Sequence, residues 1–327
     1  MRAVTFGELM MRLTPPEYYR FRQAESFEVE YGGGEANVAV SLAVWGIHSD
    51  FVSKIPAHDI GEASIDYLRK YGVNTSHIIR GGDNLGLYFM ERGISERGGK
   101  VIYDRKHSAF AEAAVSEYCW KEILNDADWF HVTGITPALS ENTRNSCICA
   151  LKEAKKRGIT VSFDPNYRST LWTKAEAAPV LKEMSGYADV LITNMGQAED
   201  IYGISGKSEE ETAALLQQEF GCKRVALTER RTYSARKNDY SALLVTDGKA
   251  YSSRKHEVEV ADRMGAGDAF AAGLIYAILN GYDEQRTIEF AVAAGSLKHT
   301  VEGDANLVSV EEIQMSADGI SSGSVRR

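Results

Sequence analysis

Short apolar, β-branched runs alternate with stretches of helical period along most of this chain, and that alternation restricts its fold more than any other feature. The runs at 3–6, 51–54, 129–133, 160–164, 190–193 and 224–228 predict strands. Residues 36–45, 63–71, 141–157, 209–220, 268–280 and 284–299 carry helical spacing. Strand and helix in turn imply crossover connections, so the strands lie parallel and helices cover both faces. The expected class is α/β, a doubly wound, mostly parallel sheet with ligands at the polar ends of its strands.

Two stretches leave that rhythm. Residues 12–31 have no helical period and hold Tyr18, Tyr19, Phe21, Phe27 and Tyr31 among charges. Residues 84–106 read as a hairpin turning through Gly98-Gly99. Together they are expected to form a small β-sheet lid over the strand ends, leaving 1–11, 32–83 and 107–315 as the α/β core. The Ser- and Gly-rich tail, 316–327, is expected to be disordered.

With 327 residues, 44% hydrophobic and 25% charged, the chain has material for a large core, which excludes collagen, coiled coil and general disorder. Its 37 basic and 46 acidic residues give a net charge of −9, which argues against a nucleic-acid or anionic-membrane binder. No apolar run approaches the roughly 18 residues of a membrane span. Cys119, Cys147, Cys149 and Cys222 have neither zinc-ligand nor CxxC spacing. The opening residues read as a strand, not an export signal. The thiols are therefore expected to be reduced, in a cytoplasmic protein.

Three motifs could carry chemistry. In Gly265-Ala266-Gly267-Asp268 a glycine turn runs straight into an apolar helix. The unpaired amides of such a helix start suit a phosphate or another oxyanion, and Asp268 is either a cap or a general base beside it. The cluster Gly32-Gly33-Gly34-Glu35-Ala36-Asn37 precedes a second apolar helix, where Gly33 permits close backbone approach to a ligand and Asn37 can bond hydroxyls. The third, Asp164-Pro165-Asn166-Tyr167-Arg168, follows a strand directly, and Arg168 could fork onto a carboxylate or phosphate or form a structural ion pair. Neither a Walker sequence nor a first-strand GxGxxG is present.

The first two motifs, in their order and separation, resemble the ribokinase/PfkB family of sugar kinases over about residues 1–312. Gly86-Leu87-Tyr88, Tyr103-Asp104-Arg105, Thr133-Gly134-Ile135-Thr136-Pro137 and the Asp164–Arg168 stretch narrow the likeness to members that phosphorylate 2-keto-3-deoxygluconate at its 6-hydroxyl. The resemblance implies a ribokinase-like fold with a lid, an ATP- and Mg2+-dependent reaction, and a homo-oligomer, dimer or higher. A monovalent cation such as K+ stays open. It makes Asp268 the base and the amides of Gly265, Ala266 and Gly267 the anion hole. Gly33, Asn37, Tyr88, Tyr103, Arg105, Arg168 and Asp304 would contact the sugar acid, and Asn166 and Thr228 fall, with Gly265 and Gly267, where the family holds ATP.

The chain departs from the family pattern twice. The family's Asn-x-x-Glu is Asn194-Met195-Gly196-Gln197 here, with an acid only at Glu199, so Asn194 and Glu199 would reach magnesium through water. The nucleotide loop reads Thr228-Glu229-Arg230-Arg231-Thr232-Tyr233 in place of a Gly-x-x-Gly. An excess of positive charge from Arg105 and Arg168 fits a carboxylate-bearing substrate. The competing readings are a kinase for 2-keto-3-deoxygalactonate, fructose or ribose, and a non-catalytic sugar-acid sensor.

Overall fold

The computed structural model describes residues 1–320. Its main sheet has ten strands: β1 (Arg2–Phe6), β4 (His48–Ile55), β5 (Ile78–Arg80), β8 (Trp129–Thr133), β9 (Thr160–Asp164), β10 (Val190–Thr193), β11 (Arg224–Ser234), β12 (Lys237–Thr246), β13 (Lys249–Ser252) and β14 (His256–Glu259). They run in the order β13-β12-β11-β10-β9-β8-β1-β4-β5, with β14 also paired to β12. From β5 to β11 every neighbouring pair is parallel, and the β11–β14 end is antiparallel. This is a doubly wound, mostly parallel α/β architecture, the class that the alternation of elements led us to expect.

Both faces of the parallel strands are buried, so their residues are apolar without alternation in polarity. Ala3, Trp129, Val190, Ile192 and Ala226 join one core with α1 (Gly34–Val44), α8 (Ala266–Leu279), α9 (Glu284–Lys298) and α10 (Val310–Ala317). Val4, Phe130, Leu191 and Val225, one position along, point the other way. They pack with α4 (Glu141–Arg157), α5 (Lys174–Ser185), α7 (Glu209–Phe220) and the single turn α3 (Trp120–Ile123). The remaining helices are α2 (Asp59–Lys70) and the short α6 (Met195–Gln197). Local signals set the boundaries: Ser140 and Ser208 cap α4 and α7, and Gly158 and Gly221 end them in the left-handed conformation.

A second sheet of four strands stands apart, in the order β3-β2-β6-β7. It comprises β2 (Met10–Thr14), β3 (Glu28–Gly32), β6 (Gly86–Glu91) and β7 (Lys100–Asp104). The hairpin expected at 84–106 is β6 paired antiparallel with β7, and Tyr88 lies opposite Tyr103. β2 pairs with β6 in parallel, and it begins at Met10, after a three-residue link from the end of β1. Two other expectations change. Ser316 and Ala317, placed in a disordered tail, complete the last turn of α10, where Ile313 and Ala317 are buried against the core. Residues 321–327 of that tail lie outside the described residues. The run expected to end at Thr228 continues as strand to Ser234, because β12 supplies a hydrogen-bonded partner along its length.

Candidate active site

The chain passes from β1 to β4 and β5 on one side, then returns to β8 on the other, so the strand order reverses between β1 and β8. A crevice opens at the carboxyl ends of strands where an α/β sheet reverses in this way. A cleft of about 610 Å³ occupies that place. Glu35, on the first turn of α1, marks its floor: one carboxylate oxygen accepts from the Thr133 amide at 2.9 Å and from the Thr133 and Thr136 hydroxyls at 2.8 Å each. Burial pushes the Glu35 carboxyl up, and those bonds oppose the shift.

Two helix starts converge on the cleft. Gly265 precedes α8 with φ +77, a conformation suited to glycine, and a Cβ there would lie 2.0 Å from the Asp304 carbonyl oxygen. No side chain caps α8, so Asp268 does not serve as a cap. The first-turn amides consequently lack intrahelical acceptors and line the cleft, and a Cβ on Gly267 would meet only open space. At the start of α1, Gly33 passes so near the link between β1 and β2 that a Cβ would sit 2.0 Å from the Glu8 carbonyl oxygen.

Asp268 joins the two helix starts. The Asn37 side-chain amide donates to its carboxylate at 2.7 Å. Asp268 is partly buried, and burial pushes its carboxyl up to about 7, a shift opposed by the Asn37 bond and reinforced by Asp164, Asp304 and Glu35. Asp164 is pushed up to about 6, again chiefly by burial. Asn166 holds the turn after β9 with φ 37 and donates its amide to Asp164 at 2.9 Å. Such groups beside free amides can take a proton and hold an oxyanion at neutral pH.

All of the singled-out positions except Glu199 line this one cleft, but several have partners that spacing could not reveal. Asp304 has both oxygens engaged, one by Arg12 at 2.8 Å and the other by the Tyr88 hydroxyl at 2.5 Å. Tyr88 is therefore a buried donor, its hydroxyl pushed well above the usual range by burial and the Asp304 charge. Arg105 is paired with Glu8, its Nε 2.7 Å from the carboxylate. Seven carboxylates and four arginines line the cleft, so the expected positive excess is absent. Arg168 is exposed; its carbonyl accepts from the Leu171 amide at 3.0 Å, and its guanidinium makes no hydrogen bond or ion pair among the described residues.

The nucleotide-side expectations shift too. Thr228 lines the cleft and donates to the Thr193 carbonyl at 3.3 Å. The 228–233 stretch is strand and not loop, and its far end turns away, where the Tyr233 hydroxyl bonds Asp239 at 2.7 Å. Asn194 faces the cleft while capping α6 through the Gln197 amide at 2.9 Å. Glu199 is exposed one turn further on, outside the cleft. Among the described residues no three His, Cys, Asp or Glu side chains gather to hold a metal. The oxygens of Asp164, Asn194 and Gln197 are among the hard donors of the cleft that could meet a magnesium ion and its waters.

The profile of the pfkB family carbohydrate kinases matches residues 2–311. The chain belongs to this family. Among relatives of this carbohydrate kinase, a 2-dehydro-3-deoxygalactonokinase of Haloferax volcanii is 32% identical over 313 residues, covering 95% of each chain. A 2-dehydro-3-deoxygluconokinase of Bacillus subtilis is 30% identical over 305 residues, 92% of this chain and 90% of the relative. The crystal structure of 2-dehydro-3-deoxygluconokinase from Thermotoga maritima superposes with a TM-score of 0.96 at 45% identity, over 98% of both chains.

Sequence reading missed the buried ionic knot behind the sugar kinase's cleft. Arg12 on β2 is fully buried and bonds Asp262 at 2.7 Å, Asp304 at 2.8 Å and the Thr14 hydroxyl at 2.9 Å. Asp262 in turn accepts from the amides of Met264 and Gly303. The knot ties the small sheet to the loop before α8. An arginine inside the alternating strand 10–14 was the only local sign, and nothing in its spacing named its partners. Four described cysteines are free, as expected. No helix among the described residues is long and apolar enough to cross a membrane.

Proposed function

We propose that the protein transfers the γ-phosphoryl group of ATP to the 6-hydroxyl of 2-keto-3-deoxygluconate. The observation that carries this reading is the carboxylate of Asp268, raised to about 7, on the first turn of α8 beside the Gly265–Gly267 amides, in the cleft that Arg168 also lines. Asp268 accepts the hydroxyl proton as the sugar oxygen attacks the γ-phosphorus and the bond to the β–γ bridging oxygen breaks, releasing ADP. The Gly265, Ala266 and Gly267 amides hold the equatorial oxygens. Asn37 orients Asp268, leaving its other carboxylate oxygen for the substrate. Asp164, Asn194 and Gln197 would hold magnesium partly through water, and the ion supplies charge neutralisation on the phosphates. A base contributes about 10²–10⁴-fold and an anion-hole donor about 10²–10³-fold.

Arg168, in no contact ion pair among the described residues, is the cation that takes the sugar carboxylate, and Arg105, Tyr88 and Tyr103 line the same end. The small sheet acts as the lid over that end, and its unpaired edge strands suit assembly into a dimer or higher oligomer. Relatives named for the gluconate and galactonate acids support the acid class and make the galactonate epimer the second reading. Turnover of both epimers and of fructose in an ADP-coupled assay tests it. Preference for fructose refutes the acid assignment. Arg168→Ala should raise the KM of the acid about tenfold or more with little change for ATP; equal changes would place Arg168 with the nucleotide.

A further inference from the structure

Of the two arginines assigned above to the sugar acid, only Arg105 is held by an ion pair. It follows directly on β7, and its guanidinium gives Nε to the Glu8 carboxylate at 2.7 Å, with Nη2 on the same oxygen. The other Glu8 oxygen takes the Ser108 hydroxyl at 2.5 Å, so the carboxylate cannot turn away. Gly86 makes room for it, since a Cβ there would lie 2.6 Å from that oxygen. The Tyr103 ring lies 5.7 Å from the guanidinium carbon. Glu8 is 3% exposed and Arg105 9%, yet both border the cleft.

We propose that Glu8 is a positioning residue for substrate selection: it fixes the plane of Arg105 so that the guanidinium edge carrying Nη1 faces the sugar acid. A guanidinium fork recognises a carboxylate or keto oxygen by direction as well as charge. A free arginine at this place would sample many rotamers and lose that direction. Because Glu8 cancels the charge of Arg105, net attraction falls to Arg168 and Arg105 discriminates by geometry. The proposal rests on the sugar-acid reading and goes further by assigning a role to a residue that would not itself touch substrate.

Three variants test it, each read as KM and kcat for 2-keto-3-deoxygluconate, fructose and ATP. Glu8→Gln retains an oxygen for Arg105 and can donate to the Ser108 oxygen, so it is expected to keep the acid KM within about threefold of wild type. Glu8→Ala should raise that KM about 10- to 100-fold, the range for a misplaced binding group, with KM for ATP and turnover of fructose unchanged. Ser108→Ala, which leaves Glu8 charged but free to turn, should give a rise of about five- to tenfold, as for one lost hydrogen bond, and remains informative if Glu8→Ala does not fold. A Glu8→Ala or Ser108→Ala enzyme with the wild-type acid KM overturns the proposal. So does a loss shared equally by acid, fructose and ATP, which marks a scaffold role, or a failure of Glu8→Gln to restore binding. A wild-type enzyme with no preference for the acid over fructose would instead defeat the substrate assignment.

Discussion

Removing the charge of Asp268 should make the protein more stable while disabling it. Burial lifts its carboxyl from 3.8 to about 7 in the folded chain. Below pH 4 both folded and unfolded forms hold the proton. Between pH 4 and 7 only the folded form does, so stability falls as pH rises across that interval, and the whole loss is present above 7. The full gap corresponds to about 4 kcal/mol at 1.36 kcal/mol per pH unit, and solvent at the partly exposed carboxylate reduces it to roughly 1–3 kcal/mol. Asp268→Asn is neutral throughout and keeps an oxygen for the Asn37 amide. Urea denaturation of wild type and variant without ligands, at pH 5.5 and pH 8, is the assay. The advantage of the variant should widen toward pH 8, while kcat drops about 10²–10⁴-fold. An advantage that is absent, or equal at both pH values, would refute the argument that burial raises this group.

Three further outcomes follow from the same geometry. For the sugar, kcat/KM should rise with pH and level off above about 7, as Asp268 becomes available to take a proton; a flat profile from pH 5.5 to 8 removes it as the base. Arg12→Ala should cost about 3–5 kcal/mol in chemical denaturation, because Asp262 and Asp304 lose their buried partner; a loss under about 1 kcal/mol would mean that water replaces it. Gly265→Ala should lower both Tm and kcat, with its Cβ 2.0 Å from the Asp304 carbonyl oxygen at φ +77, whereas Gly34→Ala, 3.6 Å from its nearest neighbours, should keep the wild-type Tm. Equal behaviour of the two variants would contradict the close-approach argument.

The central strands were readable because burial on both faces leaves a plain apolar run between polar ends, and 129–133, 160–164 and 190–193 coincide with β8, β9 and β10. Helices α4 and α7 were readable from their helical spacing, and the structure ends them at serine caps and left-handed glycines. The antiparallel edge was not, since β12, β13 and β14 mix charged with apolar residues and are held by pairing with neighbours. The glycine-rich helix starts and the Asp164–Arg168 turn were legible as short local patterns. Pairings across the fold were not: Arg12 meets Asp262 across 250 positions and Asp304 across 292, and Arg105 meets Glu8 across 97. No spacing rule reaches that far, which is why Arg105 read as a free cation and Asp304 as a free acid.

The anchoring of β2 also limits how a sugar gets in. Swinging the small sheet away as one flap would strip the Arg12 guanidinium from Asp262 and Asp304 and leave it only Glu30 of β3, and at about 3–5 kcal/mol such an open form would be held by fewer than roughly one molecule in a hundred. The far margin is anchored as well: β7 is largely exposed, yet Arg105 directly after it is tied to Glu8 in the link that follows β1. The small sheet is thus pinned at two corners, and a rigid swing in either direction must break a buried ion pair.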